Sequence, residues 1–86
     1  MAPMQITCRI AYPDQPVATA YRFVIGRPNL VTVGTGQLHT LCVERSDGLQ
    51  LKAYGFDLID VHESALMVVR CNVEGAAGKV GLIDWD

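Results

Sequence analysis

Ala65, Met67, Val69, Cys71 and Val73 occupy every second position of one nine-residue run, with Leu66, Val68, Arg70 and Asn72 between them. At a period of two, this places one fully apolar face on an extended strand. The same alternation recurs along most of the chain and predicts a small β-rich domain.

Met4, Ile6, Cys8, Ile10 and Tyr12 alternate with Gln5, Thr7, Arg9 and Ala11, so a half-buried strand is expected over Met4 to Tyr12. Pro13 and Pro16 end it, because neither can donate to a ladder. A second strand is expected over Val17 to Ile25, followed by a turn at Gly26-Arg27-Pro28-Asn29. Leu30 to Val33 reads as a short strand, broken by Gly34-Thr35-Gly36. Leu38 to Arg45 and Leu49 to Tyr54 flank Asp47-Gly48, a strong hairpin signal because glycine supplies the positive φ of the turn. Gly55 bends this last strand before it continues over Phe56 to Val61, and further strands are expected at Ala65 to Val73 and Lys79 to Trp85.

The fold class expected is therefore all-β, a small and mainly antiparallel meander, sandwich or partly open barrel of about six to seven strands. The alternative is α+β with one helix in the 57–77 region, capped by Ser64 and stopped by Gly75. Asp57 to Glu63 also suits a helical turn. The β-branched Val68, Val69 and Val73 favour strand. The 86 residues suffice for one domain spanning 1–86.

Half of the residues are hydrophobic and 19% are charged. With glycine included, the apolar share exceeds the usual 45–50%, about as much as a domain this small can cover alone. That excess points either to a buried contact with another chain or to the many valines that seven close-set strands need. The net charge of −2 disfavours a general nucleic-acid binder. Arg9, Arg22 and Arg27 against Asp14 leave residues 1–43 at +2. Eight carboxylates against Arg45, Lys52, Arg70 and Lys79 leave residues 44–86 at −4. Three cysteines, read as buried core thiols, suit a reducing cytoplasm. Met1-Ala2-Pro3-Met4 lacks a basic segment and a long apolar stretch, so no signal peptide is expected, and no run is long enough to span a membrane.

No motif carries chemistry. His39 and Cys42 are three apart, on opposite faces of a strand. His62 lies near Asp57, Asp60 and Glu63, an acidic patch without a second histidine or a Cys-x-x-Cys spacing for metal. Gly75-Ala76-Ala77-Gly78-Lys79 has two residues between its glycines, and Val80 follows the lysine, so it is no phosphate loop. Ser46 and Ser64 lie outside any nucleophile elbow. No cofactor is expected.

The function expected is a non-enzymatic protein–protein interaction module that self-associates, with Leu41, Val43, Leu49 and Leu51 of the central hairpin as interface residues. Size and charge also suit an accessory or inhibitory protein of a phage or mobile element. One alternative is a ligand-binding or enzymatic β-barrel using His39 and His62. Another is a nucleic-acid-binding small barrel using Arg9 and Arg22, which share a sheet face if the first two strands pair.

Overall fold

In a computed structural model, residues Met4 to Asp86 are described; Met1 to Pro3, where the signal-peptide expectation falls, lie outside them. The chain runs β1 (Met4–Ala11), β2 (Thr19–Ile25), β3 (Asn29–Val33), β4 (Gly36–Arg45), β5 (Gln50–Gly55), α1 (Leu58–Ala77) and β6 (Leu82–Trp85). The six strands form one open sheet, and each pairing within it is antiparallel. The expected antiparallel β architecture is present, and the helix of the α+β alternative covers it.

β1 sits between β2 and β6, and β2 joins its other edge to the second half of β4. Cys8, Ile10, Phe23, Ile25, Leu41, Val43 and Ala53 point from the strands to one face and are buried. A single sheet must cover such a face with a second layer. That layer is α1, which contributes Val61, Ala65, Val69, Val73 and Ala77 to the same core. Each full burial of a valine, leucine, isoleucine or phenylalanine is worth about 1.5–3 kcal/mol.

The strand expected over Ala65 to Val73 is thus corrected to helix, as is that over Phe56 to Val61. The cause is tertiary. The buried residues recur every fourth position, one stripe of a helix. The β-branched valines cost only tenths of a kcal/mol each, less than the stripe gains by covering the sheet. The helix starts at Asp57, not Ser64: the Asp57 side chain accepts a 2.8 Å hydrogen bond from the backbone N–H of Asp60. It stops at Gly78, not Gly75, where the Gly78 N–H donates to the Glu74 carbonyl at 3.1 Å. Gly55 lets the first turn of α1 sit against the end of β5. A Cβ there would overlap the backbone of Asp60 and Val61.

The Asp47-Gly48 hairpin forms as expected, with Gly48 at φ 94°. Arg45 clasps Asp47 through Nε at 2.8 Å and Nη2 at 2.6 Å, and reaches Asn72 of α1 through Nη1 at 2.9 Å. Its guanidinium also lies over the Tyr21 ring, 4.8 Å from the centroid. One arginine thereby ties the β4–β5 turn, β2 and the helix together.

The domain measures 52 × 28 × 20 Å, with a radius of gyration of 14.8 Å. A compact chain of this length has about 12 Å. The extra length has a visible source. The second half of β4 pairs with β2 and β5, whereas β3 holds its first half and β5 stops opposite His39. Residues 29–38 therefore project as a two-stranded arm.

Candidate functional site

The arm is built from β3 and the start of β4, in the register Asn29↔Thr40 to Val33↔Gly36. All five residues of β3 are exposed. Leu30 is 53% and Val33 62% accessible, and Val31 is also exposed. Val31, Val33 and Leu38 share one face of the arm; Leu30, Thr32, Gln37 and His39 share the other. Among the described residues β3 has a strand partner on one side only, so its outer edge presents backbone groups that no described strand pairs. A two-stranded ribbon is marginal by itself in water, and here the β3 side chains stay exposed while Leu38 and His39 of β4 are half-buried.

Beside the arm root lies a cleft of about 520 Å³, between the end of β5 and the flank of α1. Tyr54, Phe56, Met67 and Val68 give it apolar walls, and Asp60 and Glu63 line it as well. Phe56 is 81% and Met67 55% exposed. No cationic side chain lines it. Further round the helix, Leu58, Ile59, His62, Glu63 and Leu66 line a shallower depression of about 330 Å³. Exposed large apolar side chains thus cluster on the arm and the N-terminal half of the helix, while Met4, Val17, Leu49, Val80, Leu82 and Trp85 are exposed elsewhere.

The residues expected at an interface are distributed differently. Leu41 and Val43 are buried beneath α1, at 1% and 0% accessibility. Leu51 is half-buried against the same core, and Leu49 is exposed in the β4–β5 turn. Of the acidic patch, Asp57 caps the helix, while Asp60 and Glu63 sit at the cleft. Arg9 and Arg22 do share the uncovered sheet face, since Arg9 pairs with Ala20 and Arg22 with Thr7. Arg9 lies 3.4 Å from Asp86, whose carboxylate also accepts from the Thr7 hydroxyl at 2.9 Å.

His39 sits on β4 opposite Leu30 and Gly55, with its Nδ1 buried and unpartnered. His62 lies on α1 and donates from Nδ1 to the Leu58 carbonyl at 2.8 Å. The sheet is open, so the barrel interior that was to hold both histidines does not exist. Cys8 is buried, and burial, aided by the nearby charge of Asp86, pushes its thiol pKa up. Cys42 and Cys71 are exposed, a correction to the expectation of three core thiols. Cys42 falls on the uncovered sheet face and Cys71 on the solvent side of the helix. Among the described residues, no three His, Cys, Asp or Glu side chains group as a metal site, and no helix is long and apolar enough to cross a membrane.

The sequence marked both strands of the arm, Leu30 to Val33 and Leu38 to Arg45, but not their projection beyond the sheet. Leu30, Val31 and Val33 put apolar side chains on both faces of one strand, which marks a strand covered on both sides or left for another chain. No family model, curated protein or solved structure matches this chain.

Proposed function

We propose that this protein is a non-enzymatic protein-interaction module that self-associates through the β3–β4 arm. The observation that carries the reading is the arm itself: a strand with a free edge, exposed along its whole length, bearing Leu30, Val31 and Val33. Exposed strand edges are templates for pairing with another chain, and soluble proteins ordinarily blunt them with charge or proline. No charged residue occurs between Pro28 and Val43. A second copy is the simplest partner, since like edges can pair across a two-fold axis. An accessory or inhibitory protein of a phage or mobile element would act through the same kind of contact.

Sedimentation velocity over the micromolar range tests this. The wild type is expected to sediment as a dimer. Val31→Glu with Val33→Glu, two exposed positions, is expected to give a monomer with unchanged circular dichroism. A wild-type monomer throughout, or a dimer indifferent to the two glutamates, removes the reading.

A further inference from the structure

We infer that the cleft beside β5 receives the β3 strand of a second copy's arm, so that two chains exchange arms. This rests on the self-association reading above and names the surface that the arm meets.

Among the described residues β5 pairs only with β4, so its other edge is free of them along Gln50 to Gly55. β5 is six residues long and β3 is five, a match for strand addition. A strand laid on this edge would turn alternate side chains toward the cleft, where Phe56 beyond β5 and Met67 and Val68 of α1 form an apolar wall. Both faces of β3 carry apolar residues, Leu30 on one and Val31 with Val33 on the other, so either orientation offers the wall a hydrophobic partner.

Charge favours this occupant. The cleft holds Asp60 and Glu63 without a lining cation. The segment from Gly26 to Val43 contains no carboxylate, and its one formally charged residue is Arg27 at the arm root. An acidic groove and a carboxylate-free arm can approach without like-charge repulsion, which ordinarily excludes wrong partners. Lys52, the basic residue of β5, pairs with Cys42 on the uncovered sheet face and does not line the cleft. Arm and groove also adjoin: Tyr54 and Gly55 of the cleft pair with Thr40 and His39 at the arm root. One two-fold axis could therefore satisfy both contacts at once and close the assembly at a dimer.

Mixing two defective variants decides the matter. The arm variant is Val31→Glu with Val33→Glu. The groove variant is Glu63→Lys with Met67→Lys, both exposed positions in mid-helix. Circular dichroism and the fluorescence of Trp85 check that each is folded. Each alone should weaken the dimer by about tenfold or more. In a heterodimer of the two, an unaltered arm meets an unaltered groove, and the glutamate arm meets the lysine groove. The equimolar mixture should therefore regain wild-type association to within about threefold, by the same contact energetics. A groove variant that dimerises like the wild type overturns the inference. So does a mixture no better than its components, and either result leaves arm-mediated self-association standing. A wild type that stays monomeric overturns both. If the groove variant does not fold, Phe56→Lys replaces it with the same expectations, Phe56 lying outside the helix and exposed.

Discussion

The hydroxyl of Tyr12, one residue past β1, donates a 2.7 Å hydrogen bond to the backbone carbonyl of Ala76 in the last turn of α1, 64 residues later. Carbonyls at a helix C-terminus lack partners within the helix. This side chain supplies one and fixes where α1 ends over the sheet. Tyr12→Phe keeps the ring and removes the bond. We expect a loss of about 1 kcal/mol in urea denaturation. An unchanged midpoint would show that water serves the carbonyl equally well.

The Arg45–Asp47 clasp makes stability depend on pH at the acid end. Side-chain hydrogen bonds from Arg45, opposed by desolvation and helped by the Leu49 N–H, lower the Asp47 pKa from 3.8 to about 2. A depressed carboxyl pKa stabilises the fold above the unfolded value and loses that contribution as pH falls through the folded one. Asp47→Asn should be less stable than the wild type at neutral pH. The gap should narrow between about pH 4 and pH 2. A gap of constant size over that window would show that the carboxylate charge contributes nothing.

Val69 and Cys71 separate helix from strand experimentally. Two residues apart, they would share a face in a strand. In the structure Val69 is buried and Cys71 is exposed. Val69→Asp should cost about 3–5 kcal/mol, the penalty of an unpaired buried charge. Cys71→Asp should stay within about 1 kcal/mol, as for an exposed helix position. Comparable losses at both positions would refute the helical placement.

Thiol chemistry reports the same geometry. Cys42 and Cys71 are exposed, whereas Cys8 is buried with a raised pKa. The thiolate is the reactive form. A thiol-specific reagent at neutral pH should label Cys42 and Cys71 in the native protein and Cys8 only after unfolding, by mass spectrometry of the peptides. Fast native labelling of Cys8 would mean that the β1 core opens readily.

Local patterning was enough for β1, β2 and the Asp47-Gly48 hairpin. There, apolar residues alternate, prolines stop ladders, and a glycine supplies the turn. The same patterning failed over α1 for an arithmetical reason. Ala65, Val69 and Val73 are four apart, and a step of four keeps a residue on the same side in a strand and nearly so in a helix. Only the intervening Met67 and Cys71 discriminate. Both are apolar enough to pass as core and are exposed in the helix.

What the linear order of residues determined is which side chains seek burial and where the chain must turn, because both follow from neighbours within a few positions. What covers those side chains was decided in three dimensions. α1 claimed Leu41 and Val43 for the core because a one-layer sheet leaves them wet otherwise. Leu30, Val31 and Val33 stayed uncovered because β4 outruns both β5 and β2. No count along the chain reveals how far one strand extends past its neighbours, and that overhang makes the arm.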